Sequence, residues 1–155
     1  MPKTYCDLPF NHQYIHMSGT VRLCCATLEN LNKDDGKEAN LRKDNLDDLW
    51  NSEHMKQARL AMKNGKVLSA CSKCIQQEAR GYGSSRVTMH QTEYLKILSP
   101  DGSMPIKPKS MELHFGNLCN LKCKMCGQDY SNQVGKEILD IGKTDKDFLD
   151  WVKAQ

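Results

Sequence analysis

Cys119, Cys123 and Cys126 stand in the run Cys-Asn-Leu-Lys-Cys-Lys-Met-Cys, and Cys6, Cys24, Cys71 and Cys74 form a wider set that ends in a C-x2-C pair. A C-x3-C-x2-C spacing brings three soft, anionic sulfurs onto one tight loop, which is the donor set an iron–sulfur cluster requires. Three ligands leave one iron of a four-iron cluster open to a small molecule, whereas four ligands close it. The loop therefore suits a reacting cluster, and the wider set suits electron relay or structural stapling. Zinc is the competing occupant of both sets: three cysteines with His114, a few residues upstream, or the four cysteines of the wider set. Structural zinc usually draws paired C-x2-C knuckles, which the loop lacks. His12, His16, His54, His90 and His114 share no metal-ligand spacing, although His114 lies near enough to the loop to tune it.

The remaining composition bounds what can surround these sites. A chain of 155 residues with 39% hydrophobic and 26% charged content fits one ordinary soluble domain or two small ones. Its net charge of +3 comes from interspersed acidic and basic residues, with none of the basic blocks that nucleic acid or a membrane surface would require. Neither partner is expected. The first residues carry no apolar run after their basic residue, and no segment approaches the ~18 apolar residues of a membrane span, so a cytoplasmic protein is expected. In that compartment thiols stay reduced, and eight cysteines read as metal ligands before they read as disulfides.

The elements that must position the cysteines follow from local signals. Residues 14–16 and 21–24 read as a hairpin about the Gly-containing turn 17–20, with Cys24 at the end of its second strand. Residues 29–43, rich in Asn, Asp, Lys and Gly, read as a solvated connection. Asn45 can cap a short helix bearing Leu46, Leu49 and Trp50. Ser52 can cap a second, with Met55, Ala58 and Met62 as its core stripe and Asn64-Gly65 as its end. Cys71 and Cys74 open a polar helical stretch to Arg80, and residues 85–98 read as helical again. Residues 99–109, with prolines at 100, 105 and 108, read as a linker. Met111, Leu113 and Phe115 then alternate with polar residues in a strand that runs into the cysteine loop, and helices are expected over 131–141 and 144–153.

A strand followed by Gly-Asn-Leu-Cys119-Asn-Leu-Lys-Cys123-Lys-Met-Cys126-Gly resembles the first strand and cluster loop of radical S-adenosylmethionine (SAM) enzymes. The resemblance implies that Cys119, Cys123 and Cys126 bind a 4Fe-4S cluster whose open iron is chelated by SAM. Reduction would then cleave SAM to methionine and a 5'-deoxyadenosyl radical that abstracts hydrogen from substrate. Met125 stands where that family more often has an aromatic residue beside the adenine. Cys6, Gly19, Cys24 and Cys71-x2-Cys74, with Leu8-Pro9-Phe10 and residues 48–52 between them, resemble the twitch module, the shortened form of the SPASM domain. That resemblance implies an auxiliary 4Fe-4S cluster on Cys6, Cys24, Cys71 and Cys74. Cys25 adjoins Cys24, and neighbouring strand residues face opposite ways; Cys24 has the matching spacing from Gly19, leaving Cys25 as a small buried hydrophobe or a substitute ligand.

Together these readings give an α+β chain: a hairpin-plus-helices twitch/SPASM-like module over 1–98, a linker over 99–109, and the first strand-helix unit of an incomplete radical SAM (β/α)6 partial barrel over 110–155. Such a barrel needs roughly 200 residues, and no Gly-Gly-Glu run follows the loop. The expectation is thus a cluster-bearing part of a longer enzyme, with SAM, an unidentified and peptide-like substrate, and a second chain supplying the rest of the barrel as its partners. The alternative is a non-catalytic zinc- or iron–sulfur-binding module.

Overall fold

The computed structural model describes residues 4–88, 93–121, 123–127 and 130–134, which fall into two compact units. One comprises Met1–Ile15 with Thr20–Glu112, the other His16–Gly19 with Leu113–Gln155. The expected helix over 144–153, most of that over 131–141, and His90 lie outside the described residues.

In the first unit, a one-turn helix α1 (Leu8–Asn11) with Pro9 in its first turn leads directly into strand β1 (His12–Ile15). Strand β2 (Val21–Arg22) pairs antiparallel with β1 in the register Tyr14 to Arg22 and Ile15 to Val21. Strand β3 (Ser110–Leu113) joins on the far side, giving the order β2-β1-β3. The Lys109 N–H donates to Asn11 O at 2.7 Å where β3 comes alongside β1. The strand expected to run from Met111 into the cysteine loop thus lies against the hairpin.

Residues 29–43 are held more firmly than a solvated connection. They run back along the hairpin through isolated bridges Arg22 to Asn30, Asn32 to Glu38 and Thr20 to Asn40. Leu31, Ala39 and Leu41 are buried there. Three apolar residues scattered among charges give no periodicity, yet each fills a core position once the backbone is bonded to the strands.

Helix α2 (Leu46–Trp50) starts where Asn45 accepts the Asp47 N–H at 2.8 Å, as an N-cap side chain should. Helix α3 (Glu53–Lys63) starts differently: Ser52 makes no side-chain cap, and Asp34, reaching from the preceding loop, accepts the Glu53 N–H at 2.8 Å. A cap supplied from nineteen residues away has no local sequence signature. A 3-10 turn (Ser69–Cys71) continues into α4 (Ser72–Ala79), followed by the short helices α5 (Ser85–Thr88) and α6 (Glu93–Ile97). Helix α4 ends on Gly81 at φ +81, with Tyr82 N–H bonded to Gln77 O at 3.0 Å and Gly81 N–H to Glu78 O at 3.0 Å. That pair of bonds satisfies the last carbonyls of the helix and requires the left-handed conformation glycine adopts without cost.

The core of this unit is built from Tyr5, Phe10, Ile15, Val21, Leu31, Trp50, Met55, Met62 and Met104. At its centre lies Arg59, fully buried on the same α3 stripe as Met55 and Met62. Its guanidinium lies 4.3 Å over the Trp50 ring and donates to Pro9 O at 2.7 Å, Trp50 O at 2.8 Å and Asn51 Oδ1 at 3.0 Å. Residues 99–109 pack on this hub. Trp50 Nε1 donates to Ile106 O at 2.7 Å, Asn51 Nδ2 to Met104 O at 3.1 Å, and Gly102 sits at φ +87 against the α3 backbone. Among the described residues no helix is long and apolar enough to cross a membrane.

Candidate metal centre

Four elements of the first unit deliver four thiols. Cys6 precedes α1 and is 6% exposed; Cys24 lies two residues past β2; Cys71 ends the 3-10 turn and Cys74 occupies the first turn of α4. The x2 spacing at the start of a helix brings both of the latter residues to one side of its N-terminus. All eight cysteines are free thiols.

The four thiols share one electrostatic neighbourhood. Burial pushes the Cys6 thiol up to about 12, and the charges of Cys24, Cys71 and Cys74 push in the same direction. Burial likewise raises Cys71 to about 11, with Cys24 and Cys74 adding to it, and raises Cys24, to which Cys74 contributes. Backbone N–H groups already face the sulfurs: that of Leu8 donates to Cys6, and those of Ala26 and Thr27 donate to Cys24. Such N–H···S bonds stabilise ligated sulfur and tune cluster potentials. Arg86 lies near enough to favour the Cys71 thiolate, and Glu78 holds Arg86 in place, its Oε1 accepting from Arg86 Nε at 3.0 Å.

Cys25 is exposed, where a buried small hydrophobe was one expectation; its thiol is hydrogen-bonded to the Glu112 carboxylate on β3 and also feels the charge of Cys24.

No three of the described His, Cys, Asp and Glu side chains close on a single-ion site. Four free thiols, with backbone N–H donors aimed at two of them, are the kind of donor set an iron–sulfur cluster takes.

In the second unit, Cys119 and Cys126 are half-buried and Cys123 is exposed. The Cys126 N–H donates to Cys123 O at 3.0 Å in a tight turn, and the Leu121 N–H points at Cys119 Sγ at 3.4 Å. Sequence reasoning did not identify the residues that pin this loop. Asn132 Oδ1 accepts the Cys119 N–H at 3.2 Å, the Asn132 N–H donates to Asn117 O at 2.7 Å, and Ser131 Oγ donates to Leu121 O at 2.9 Å. Asn117, Ser131 and Asn132 are buried, although their types read as surface; the one available signal was Ser131 as a helix start. His114 packs edge-on to the Tyr130 ring at 5.4 Å, and Met125 is 93% exposed.

Residues 6–75 match the family model of SPASM, an iron-sulfur cluster-binding domain. The matched segment encloses Cys6, Cys24, Cys71 and Cys74, and assigns iron–sulfur cluster binding to this part of the chain. Comparison with curated proteins and with solved structures gives no match.

Proposed function

We propose that this is a radical SAM protein carrying two clusters: an auxiliary 4Fe-4S cluster on Cys6, Cys24, Cys71 and Cys74, and a second on Cys119, Cys123 and Cys126 whose open iron takes SAM. The observation that carries the reading is the SPASM match over 6–75 coupled to a three-cysteine loop. When loaded, the loop site supplies reductive cleavage of SAM and hydrogen abstraction from a substrate.

The chain's own residues do the holding. Asn132 and Ser131 fix the loop backbone on either side of Cys119, so that three flexible thiols become a preorganised ligand set. In the first unit Cys6 and Cys74 are buried and Cys24 and Cys71 half-buried, and four-cysteine ligation would leave no open iron there. That division favours a relay or stapling role for the auxiliary cluster.

Anaerobic reconstitution with iron and sulfide tests this. The loaded protein should bind SAM with a change in its reduced-cluster paramagnetic resonance spectrum, and should release 5'-deoxyadenosine under a strong reductant. The Cys119→Ala variant should lose both while retaining the auxiliary spectrum. Iron uptake without any SAM-dependent spectral change would reduce the protein to an electron-carrying or structural module. Colourless protein with stoichiometric zinc would replace the reading altogether.

A further inference from the structure

Helix α3 carries a second stripe beside its core face. His54, Gln57, Ala58 and Ala61, spaced i, i+3, i+4 and i+7, line a cavity of about 280 Å³. The two alanines leave the room, and Leu23 and Leu68 make the opposing apolar wall. The volume is below that of a drug-sized pocket and suits a single side chain.

The polar groups at this cavity have defined free atoms. Glu29 Oε2 accepts the Ser69 hydroxyl at 3.2 Å, leaving Oε1 to a guest. Gln57 Nε2 donates to Glu53 Oε1 at 2.6 Å, leaving the Gln57 carbonyl as an acceptor. His54 Nδ1 accepts the Asn32 N–H at 3.1 Å, so its neutral ring bears a proton on Nε2 and is a donor. Glu29 is the charged residue of the lining, and no Lys or Arg accompanies it.

We propose that this cavity binds the side chain of a lysine presented by a peptide. The alkyl stem lies between Leu23, Leu68 and the two alanines, and the ammonium is received by Glu29 Oε1 and the Gln57 carbonyl. The His54 Nε2–H meets a backbone carbonyl of the peptide. A carboxylate guest would face Glu29 with no cation to offset it, and an uncharged apolar guest would gain nothing from the carboxylate. No cysteine lines the cavity, so this inference does not depend on which metal the cysteines hold.

Calorimetric titration of the full chain with Nα-acetyl-lysine N-methylamide tests it, with the norleucine analogue and n-butylammonium in parallel. The lysine amide should bind saturably, and the norleucine amide, which keeps the alkyl stem and lacks the ammonium, at least about tenfold more weakly. n-Butylammonium should fall between them, because it lacks the carbonyl for His54. Glu29→Gln, a change at an exposed position, should cost about tenfold, and Ala61→Leu should abolish binding by filling the cavity, with the circular dichroism of both variants unchanged. Equal binding of the lysine and norleucine amides, full affinity in Glu29→Gln, or no saturable heat with the lysine amide would each overturn the proposal. Butylammonium binding as tightly as the lysine amide would overturn its peptide component.

Discussion

Replacing Arg59 by Met separates the value of a buried guanidinium from the value of the volume it fills. Arg59 is completely buried, and its charge faces carbonyls and an amide oxygen rather than a carboxylate, which is why burial lowers its pKa to about 10. Three charge-assisted bonds at 2.7, 2.8 and 3.0 Å are each worth ~1.5–3 kcal/mol, and stacking 4.3 Å over Trp50 adds ~1–2 kcal/mol. Against this gross of about 5.5–11 kcal/mol stands the cost of dehydrating the ion, several kcal/mol, which Met does not incur. Met also fills the stem volume. Asn51 Oδ1 would keep the Met104 N–H at 2.9 Å, so the lasting damage falls on Pro9 O, Trp50 O and, at a longer 3.4 Å, Gly102 O. The net loss should be about 3 kcal/mol, read as a fall of ~1.5 M in the urea midpoint at an m-value of ~2 kcal/mol/M. Arg59→Lys should be no better than Met, since an ammonium cannot span three acceptors set in a fork. Wild-type stability in Arg59→Met, or full rescue by Lys, would refute the view that this hub is held by directed hydrogen bonds.

Other outcomes follow from the same geometry. Gly102→Ala should cost ~2–4 kcal/mol in denaturant unfolding, because at φ +87 a Cβ would meet the Lys56 carbonyl oxygen at 2.5 Å. Asn132→Ala removes the acceptor of the Cys119 N–H; worth ~1 kcal/mol, its loss should make iron release from the loop to a chelator about fivefold faster and leave release from the first unit unchanged. Burial lowers the pKa of His12 below its ordinary 6.5 despite the opposing charge of Glu112. The unfolded chain therefore takes up a proton there before the folded one, and stability should fall as pH drops through 6.5; His12→Asn should flatten that slope in urea titrations repeated across pH.

The sequence marked what local chemistry controls. The Asn45 cap, the Met55–Ala58–Met62 stripe and the hairpin around Gly19 were all legible, because a cap, a helical period and a turn are written within a few residues. The Cys71–Cys74 pair was legible for the same reason, since C-x2-C at a helix start is a local geometry, whereas Cys6 and Cys24 joined it only through the resemblance to the twitch module. What escaped is non-local or disguised by residue type. Arg59 reads as surface by its charge and is buried by acceptors drawn from three separate segments. Asp34 caps a helix from another loop, and Leu31, Ala39 and Leu41 are buried only because residues 29–43 bond back to the strands. Asn132 restrains Cys119 from thirteen residues away. Residues 99–109 carry every composition mark of a linker, and their bonds to Trp50 and Asn51 depend on side chains some fifty residues earlier.

Metal and sulfide analysis of the reconstituted chain beside its Cys6→Ala/Cys24→Ala/Cys71→Ala/Cys74→Ala variant tests the central claim most directly. Two four-iron clusters predict ~8 irons and ~8 sulfides for the intact chain, and about half of each for the variant, with the brown absorption halved in step. Equal iron in the two proteins, or zinc in place of iron in the intact one, would contradict the assignment of an iron–sulfur cluster to those four cysteines.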